Sequence, residues 1–243
     1  MRNESLESSF LSVFALITFF VFLIINKYSH KIKDGILFDK DFLKPQAFHQ
    51  SPVSRSGGLA GIISFNIFLV FYYLIYSKII FEYLFICNLL FLIGFLDDLK
   101  TKISPSKRLI LMTIFLFICI HFIPIKILNV DIPFLTTLLN NNIFTSLFVL
   151  MCFLFVINGA NLIDGFNGLL TINLIIINSI LVYINLADGI NQFSVIIIGQ
   201  IIILFSFLLF NFPSAKLFLG DSGSYFLGSL VALNVIITNN LNP

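Results

Sequence analysis

The sequence has 243 residues with a mean hydropathy of +1.04; 58% of them are hydrophobic, 11% are charged, and the net charge is +2. A water-soluble domain of this length cannot hide so much apolar surface, so the composition excludes a soluble globular protein and indicates a protein of the lipid bilayer. The net charge gives no indication of nucleic acid, which is not expected as a partner. No Cys/His pattern resembles a zinc site.

Apolar segments long enough to cross a bilayer, about 20 residues each, recur along the whole chain. We identify eight of them, at residues 10–26, 57–76, 79–96, 109–125, 143–160, 168–187, 193–210 and 224–238. The polar connections between them are too short to form a soluble domain. The sequence therefore predicts an all-α membrane protein, a polytopic bundle of about eight transmembrane helices that forms one domain over residues 1–243.

The distribution of Lys and Arg predicts the orientation of the bundle, because cytoplasmic loops of membrane proteins carry an excess of both. With the N-terminus outside, most of the 14 basic residues fall in cytoplasmic connections. These are Lys27, Lys31, Lys33, Lys40, Lys44, Arg55, Lys100, Lys102, Lys107, Arg108 and Lys216. The outside receives only Arg2, Lys78 and Lys126. We therefore expect the N-terminus to lie outside.

In that orientation four acidic residues fall on the cytoplasmic side, in segments rich in Gly, Asn or Ser. Asp97 and Asp98 follow the third span, Asp164 follows the fifth, and Asp221 follows the seventh. Carboxylates from three distant connections that meet at one membrane face predict a functional site there.

The segment Gly94–Lys100 contains the adjacent pair Asp97 and Asp98. Neighbouring carboxylates repel each other, and at a membrane boundary they need a cation or a proton to relieve them. Basic residues follow at once, at Lys100, Lys102, Lys107 and Arg108. This combination suits a phosphate together with a divalent ion. The alternative is a solvated helix end whose basic residues only mark the cytoplasmic side.

The segment Asn158–Leu169 places Asn161, Asp164 and Asn167 three residues apart. On a helical turn these side chains would point broadly one way, and the glycines between them let backbone approach a ligand. Amides and a carboxylate in this arrangement can bind a ribose, an amide or a base edge. A polar cap before the sixth span is the alternative.

The segment Asn211–Ser224 contains Gly-Asp-Ser-Gly at residues 220–223, which invites comparison with a serine protease in which Ser222 is the nucleophile. That chemistry needs a His base and a buried Asp partner. The three histidines are His30, His49 and His121, and the last is expected on the outer side. We therefore reject a protease. Asp221, flanked by glycine and hydroxyl residues, better suits a divalent ion, with backbone amides facing a phosphate.

The segment Pro52–Leu59 leads from the long basic connection into the second span. Arg55 stands there beside small residues, where an arginine can bind a phosphate. A basic residue that only anchors the helix on the cytoplasmic side explains it equally well.

Taken in this order, these segments resemble the polyprenyl-phosphate N-acetylhexosamine-1-phosphate transferase family (glycosyltransferase family 4). The resemblance runs from about Lys44 to Gly228 and is specific because several weak motifs occur together. It implies a polytopic protein of the bacterial cytoplasmic (inner) membrane with its active site facing the cytoplasm. It also implies Mg²⁺ as cofactor, with Mn²⁺ as a substitute. The implied partners are a UDP-N-acetylhexosamine and a polyprenyl (undecaprenyl) phosphate, and a homodimer is allowed.

The resemblance also implies roles for individual residues. Asp97 and Asp98 match the aspartate pair of the family, which is assigned to deprotonation of the acceptor or to organisation of metal and phosphate. The metal would be held by Asp221 and Asp164. With the basic residues added, the expected substrate-binding residues are Lys100, Lys107, Asn158, Asn161, Asp164, Asn167, Asn211 and Phe218.

The sequence departs from the family pattern at two points. Asn167 stands where many members carry a second Asp, a difference expected either to alter the donor preference or to weaken the site. Members usually continue through two further spans and a cytoplasmic His-rich loop, whereas this sequence stops at Pro243. We therefore expect a C-terminally short member: a fragment, a truncated reading frame or a degenerate form. The segment Pro52–Gly58 favours the amino-sugar branch over the muramoyl-pentapeptide branch.

The predicted reaction is metal-assisted phosphoryl transfer, in which polyprenyl phosphate attacks the β-phosphorus of the UDP-sugar, releases UMP and starts a cell-envelope glycan. A phosphate monoester is already largely ionised at neutral pH, so Asp97 and Asp98 are expected to position groups more than to remove a proton. Two alternatives stay open. One is an inactive or truncated member that binds lipid or a partner. The other is an ion-coupled transporter, against which the helix-end position of the acidic residues argues.

Overall fold

The computed structural model describes residues 2–29, 31, 36–39, 52–99, 103–123, 125–128 and 130–242. Nine helices and two short strands lie within these ranges. In chain order they are α1 (Arg2–Tyr28), β1 (Phe38–Asp39), β2 (Val53–Ser54), α2 (Gly57–Tyr76), α3 (Phe81–Asp98), α4 (Pro105–Phe122), α5 (Pro133–Leu139), α6 (Asn142–Ile163), α7 (Leu169–Ala187), α8 (Asn191–Asn211) and α9 (Gly220–Leu241).

Seven of these helices, α1, α2, α4, α6, α7, α8 and α9, are long and apolar enough to cross a membrane. This confirms the prediction of an all-α, polytopic membrane protein. The third predicted span, residues 79–96, coincides with α3, which is not one of the seven. The 18 residues of α3 include three acidic ones, Glu82, Asp97 and Asp98, and this charge sets α3 apart from the seven spans.

Helix ends differ from the predicted spans where polar residues form the terminal turns. α4 begins at Pro105 rather than at residue 109, because proline is well suited to the first turn of a helix. α9 begins at Gly220 rather than at residue 224, so Asp221 lies inside its first turn and not in the preceding loop. A carboxylate is favoured there by the helix dipole. Asp97 and Asp98 likewise form the last turn of α3 instead of following it.

α9 is the central helix of the bundle. It packs most extensively against α3 and α6 and also contacts α2 and α7, whereas α1 packs on α2 and α8. α9 is the least apolar of the seven spans and also the most buried, while α1 is largely exposed. This inversion is expected in lipid, where apolar side chains face the acyl chains and polar ones are enclosed by protein.

A buried polar network joins four helices inside the bundle. It consists of Tyr83 of α3, Asn178 of α7, Gln200 of α8 and Asn234 of α9, each at most 3% exposed. Asn234 Oδ1 accepts from the Tyr83 hydroxyl at 2.6 Å and from Gln200 Nε2 at 3.2 Å. Asn234 Nδ2 donates to Asn178 Oδ1 at 2.8 Å and to Gln200 Oε1 at 2.6 Å. Asn234 therefore uses all four hydrogen-bonding positions of its side chain.

The two strands lie at the end of the bundle where α2 begins. They form a two-stranded antiparallel sheet, and Ser54 of β2 also pairs with Leu217 in the loop before α9. The N–H of Gly58 donates to the carbonyl of Leu219 at 2.8 Å. These bonds fix the entry to α2 against the entry to α9.

Candidate active site

Four carboxylates gather at one end of the bundle, and we refer to Asp97, Asp98, Asp164 and Asp221 as the carboxylate cluster. Asp97 and Asp98 end α3, Asp164 caps the C-terminus of α6, and Asp221 lies in the first turn of α9. The cluster is therefore assembled from three helices that are distant in sequence. α4 adds Arg108 near its start.

Asp98 caps the N-terminus of α9 from a neighbouring helix. Its carboxylate accepts the backbone N–H of Asp221 at 3.0 Å and that of Ser222 at 2.9 Å. The first N–H groups of a helix have no partner within the helix and attract negative charge, so they stabilise an otherwise costly buried carboxylate. Asp98 is only 2% exposed. Because both of its oxygens are occupied, Asp98 positions α9, and with it Asp221.

Glycines allow the start of α9 to approach α2 and α3 closely. A Cβ at Gly94 of α3 would lie 2.5 Å from the carbonyl oxygen of Asp221, and a Cβ at Gly58 of α2 would lie 2.4 Å from the nitrogen of Gly223. Both contacts are with backbone, which cannot rotate away. Gly220 has a φ of +76°, a backbone conformation that residues other than glycine rarely adopt. Glycines from three of the predicted segments thus allow the start of α9 to pack closely against α2 and α3.

Arg108 joins two acids of the carboxylate cluster through one atom. Its NH1 nitrogen donates to Asp97 Oδ2 at 2.5 Å and to Asp221 Oδ2 at 2.5 Å. The Nε of the same guanidinium is buried and has no hydrogen-bond partner among the residues that the structure describes. The sequence pointed to lysines for this role, and Arg108 was only one member of the basic cluster. No local signal separates Arg108 from Lys107, its neighbour on the first turn of α4.

Asn161 holds the second oxygen of Asp221. Its Nδ2 donates to Asp221 Oδ1 at 3.0 Å and to the hydroxyl of Ser224 at 2.9 Å. The last turn of α6 therefore contacts the first turn of α9 at the site. This fixes the orientation of the Asp221 carboxylate from two sides, by Arg108 and by Asn161.

Asp164 lies near the other acids but makes a different kind of contribution. Burial raises the pKa of Asp164 well above its usual value, and the charges of Asp221 and Asp98 raise it further, while Arg55 opposes the shift. A carboxyl in such surroundings favours a proton or a cation.

The carboxylate cluster fits a divalent cation in its chemistry. Within the part of the chain that the structure describes, no three His, Cys, Asp or Glu side chains converge as a ready metal centre. However, NH1 of Arg108 is a positively charged group placed between Asp97 and Asp221, and carboxylate oxygens are the ligands that Mg²⁺ prefers. These two residues could hold the ion.

Arg55 reaches the same end of the bundle from the start of α2. Its Nε and NH2 donate to Asp39 Oδ2 at 3.2 Å and 2.6 Å, and its NH1 lies 4.0 Å from Asp98 Oδ1. Burial lowers the pKa of Arg55, but the hydrogen bond and charge of Asp39, together with the charges of Asp98 and Asp221, outweigh this, so the pKa is raised. Asp39 thus holds a firmly charged arginine beside the carboxylate cluster, and sequence analysis did not assign Asp39.

The other predicted substrate-binding residues make hydrogen bonds to or through backbone groups instead of to the carboxylate cluster. Asn158 Nδ2 donates to the carbonyl of Leu154, and Asn167 Nδ2 donates to the carbonyl of Pro213. Asn211 accepts the N–H of Gly168 at 2.6 Å and donates to the carbonyl of Leu217 at 2.9 Å, so it joins two loops. Phe218 binds Ser54 and Gly57 through its backbone.

The two predicted lysines differ in what can be said of them. Lys107 is exposed on the first turn of α4, one residue before Arg108. Lys100 lies outside the described residues, as does Lys102. Of the two described members of the basic cluster, Lys107 and Arg108, it is Arg108 that contacts the acids.

The positions of His121 and Ser222 argue against a serine protease. His121 belongs to the last turn of α4, at the opposite end of that helix from Arg108, whereas Ser222 lies in the first turn of α9. His30 and His49 lie outside the described residues. The one described histidine is therefore remote from Ser222.

Comparison with known proteins gives a consistent result. The model of glycosyl transferase family 4 matches residues 80–239, which include the whole carboxylate cluster. The chain is 31% identical over 153 residues to a phospho-N-acetylmuramoyl-pentapeptide-transferase of Clostridium perfringens, covering 60% of this chain and 48% of the relative. Identity to the protein of that name from Streptococcus thermophilus is 34% over 161 residues, or 62% and 46% of the two chains.

A longer match is found in Clostridium botulinum. The phospho-N-acetylmuramoyl-pentapeptide-transferase of that organism is 29% identical over 226 residues, covering 86% of this chain and 66% of the relative. The chain spans about half the length of the first two relatives. The family model covers most of the chain, and the chain therefore belongs to glycosyl transferase family 4.

Proposed function

We propose that this protein transfers an N-acetylhexosamine phosphate from a UDP-sugar to a polyprenyl phosphate, releases UMP and thereby starts a cell-envelope glycan. The observation that carries the proposal is the junction of α3, α4 and α9, where Asp98 fixes α9 and Arg108 bridges Asp97 and Asp221. Positive and negative groups held together at one end of a membrane bundle suit a diphosphate, a divalent ion and a lipid acceptor.

In the proposed reaction an oxygen of the lipid phosphate forms a bond to the β-phosphorus of the donor. The bond from that phosphorus to the oxygen shared with the α-phosphate breaks, and UMP leaves with this oxygen. The acceptor phosphate is already largely ionised at neutral pH, since its second pKa is about 6. The chain therefore needs to position the two phosphates and neutralise their charge more than it needs a strong base.

Each side chain of the site has a part in that task. Asp98 fixes the start of α9, and Asn161 orients Asp221. Arg108 and Arg55 bring positive charge to the phosphates from α4 and α2. Asp97 holds Arg108 in place. Lys100, Lys107 and Asn158 remain proposed substrate contacts from the sequence.

A divalent cation completes the proposal. Asp221 and Asp97 would hold it, and Asp164 is kept as a further ligand because the charges of Asp221 and Asp98 act on it. When bound, Mg²⁺ or Mn²⁺ supplies Lewis-acid stabilisation of the charge that develops on the diphosphate and the leaving UMP.

Two observations bear on which sugar the UDP-linked donor carries. The relatives are named phospho-N-acetylmuramoyl-pentapeptide-transferases, which supports a muramoyl-pentapeptide donor. The segment Pro52–Gly58 instead favours an amino-sugar donor without a peptide. We propose the class that both share, a UDP-linked N-acetylated hexosamine.

We further propose that the site faces the cytoplasm of a bacterial cell. The excess of Lys and Arg in the connections at this end of the bundle supports that orientation. UDP-sugars are supplied on that side. A transporter is disfavoured because the carboxylates lie at helix ends and not in mid-bundle, where ion pathways usually place them.

A transferase assay on membranes that contain the full chain tests the proposal. UDP-N-acetylglucosamine and UDP-N-acetylmuramoyl-pentapeptide are each supplied with undecaprenyl phosphate and Mg²⁺ or EDTA, and UMP and the lipid product are quantified. We expect Mg²⁺-dependent product from one donor. If a folded protein yields no product with either donor, the transferase proposal is wrong and a lipid-binding family member is favoured.

A further inference from the structure

The two arginines of the site are paired in different ways. Arg55 presents Nε and NH2 together to a single carboxylate, that of Asp39, at 3.2 Å and 2.6 Å. Both nitrogens donate to the same oxygen, Asp39 Oδ2, so a single acid holds this arginine in place. Arg108 instead places one nitrogen, NH1, between two carboxylates, and leaves its Nε buried without a partner.

An unpartnered buried donor is unfavourable, so the position of Arg108 is not the one that satisfies its side chain best. This position nevertheless stabilises the site, because two carboxylates at close range repel each other unless a cation or a proton relieves them. Arg108 thus does in this structure what any cation of suitable size would do there.

The same two oxygens are the ones that a divalent ion would bind. Mg²⁺ binds carboxylate oxygens at about 2.0–2.1 Å, so it would occupy the space that NH1 of Arg108 fills between Asp97 and Asp221. Asp98 and the second oxygen of Asp221 already accept hydrogen bonds. Both oxygens of Asp98 accept N–H groups of α9, and Asp221 Oδ1 accepts from Asn161.

We propose that Arg108 competes with the divalent cation for Asp97 and Asp221, and that it leaves them for the anionic substrate as the cation binds. The inference rests on the proposed function for the identity of that anion, a nucleoside diphosphate linked to a sugar. Arg108 then offsets the repulsion between Asp97 and Asp221 before the cation binds, contacts the substrate afterwards, and makes strong metal binding depend on the substrate.

Metal binding without substrate gives the direct test. The full chain is purified in detergent and titrated with Mn²⁺ alone, and free Mn²⁺ is measured by electron paramagnetic resonance. Arg108→Gln is expected to bind Mn²⁺ at least about tenfold more tightly than the wild type, because the ion no longer displaces a cation held by two acids. Arg108→Lys, which keeps the charge on a shorter reach, is expected to lie between them.

Lys216→Gln is the matched control. Lys216 is exposed in the loop between α8 and α9, so its replacement removes one positive charge without touching the acids. The Mn²⁺ affinity of Lys216→Gln is expected to differ from that of the wild type by less than about twofold at physiological salt, because exposed charges are screened there. If Lys216→Gln and Arg108→Gln gain the same Mn²⁺ affinity, the gain reflects the net charge of the protein and not the position of Arg108, and the inference is wrong.

The outcome is decided even if one variant does not fold. If Arg108→Gln binds Mn²⁺ no more tightly than the wild type, the proposed competition is wrong. If Arg108→Gln does not fold, the Mn²⁺ affinity of Arg108→Lys is compared with that of the wild type, and an unchanged affinity again contradicts the competition. No donor or lipid is present in this titration. A wild type without transferase activity would therefore overturn the proposed function and leave the comparison of Mn²⁺ affinities intact.

Discussion

The carboxylate cluster and the buried polar network both enclose polar side chains in an apolar bundle, but they are built on opposite principles. In the network every group is neutral, and Asn234 uses all four of its hydrogen-bonding positions. In the carboxylate cluster the groups are charged, Arg108 serves two acids through one nitrogen, and its Nε has no partner.

The difference shows how a membrane protein separates stability from chemistry. Neutral amides that satisfy one another can sit in mid-bundle, where a charge would be costly, and they fix the packing of four helices. Charged groups collect at helix ends, where helix termini and incoming ions can compensate them. Complete pairing in the network indicates a structural role, whereas incomplete pairing in the cluster leaves capacity to bind a ligand.

Replacement of Asp221 by Asn is expected to have the largest effect on activity. The variant keeps the shape of the side chain but removes the charge that a divalent ion needs, so turnover should fall on the order of 10²–10³-fold. The free energy of unfolding should change by no more than about 1 kcal/mol, because Arg108 keeps its contact with Asp97. UMP release and thermal unfolding measure the two quantities.

Asp188→Asn is the matched control for Asp221→Asn. Asp188 is exposed at the C-terminal end of α7, away from the site. The Asp188→Asn variant should therefore keep the activity and the stability of the wild type. Near-normal turnover in Asp221→Asn would remove the carboxylate cluster from the reaction and erase the distinction between the two regions.

Gly94→Ala tests whether close packing positions the carboxylate cluster. The new Cβ would lie 2.5 Å from the backbone oxygen of Asp221, so α9 must shift. We expect turnover to fall by about 10²-fold, as for a displacement of about 1 Å in an active site, and stability to fall by about 1–3 kcal/mol.

Gly159→Ala provides the comparison for that variant. A Cβ at Gly159 of α6 would meet no atom within 4 Å. The substitution should leave activity unchanged and raise stability by up to about 1 kcal/mol, because alanine favours the helix. Equal losses in both variants would contradict a specific contact between α3 and α9.

Asn234→Leu is expected to affect stability and leave turnover nearly unchanged. It leaves Tyr83, Gln200 and Asn178 without the partner they share, which should reduce stability by about 1–3 kcal/mol. Activity per folded molecule should stay within about twofold, because the site is distant. Thermal unfolding and UMP release report the two effects separately.

Asn173→Leu separates the loss of a network from the loss of a single amide. Asn173 is exposed on α7, and within the described part of the chain its side chain donates to the carbonyl of Leu169, so its replacement should be neutral or stabilising in lipid. If Asn234→Leu proves equally harmless, the buried polar network has no structural role.

Much of the fold follows from the sequence because apolar segments of bilayer length are a strong signal. Helix ends were harder to predict. The start of α9 at Gly220 depends on Asp98, which lies in a distant segment and caps the helix. A cap supplied by another helix leaves no local pattern, so Asp221 was expected in a loop.

The site was only partly predictable for a similar reason. Alternation of spans indicates that Asp97, Asp98, Asp164 and Asp221 share one end of the bundle. It does not show which member of a basic cluster faces them, and the structure places Arg108 there. Likewise, a lone Asn234 or Gln200 in an apolar span does not reveal its partners, since these lie on other helices.

The most direct test of this account measures Asp221→Asn and Asn234→Leu side by side, as UMP release per folded molecule with Mg²⁺ and with EDTA. The account predicts a folded but inactive Asp221→Asn, a less stable but active Asn234→Leu, and no release from any form in EDTA. Undiminished, metal-independent release from Asp221→Asn would contradict it.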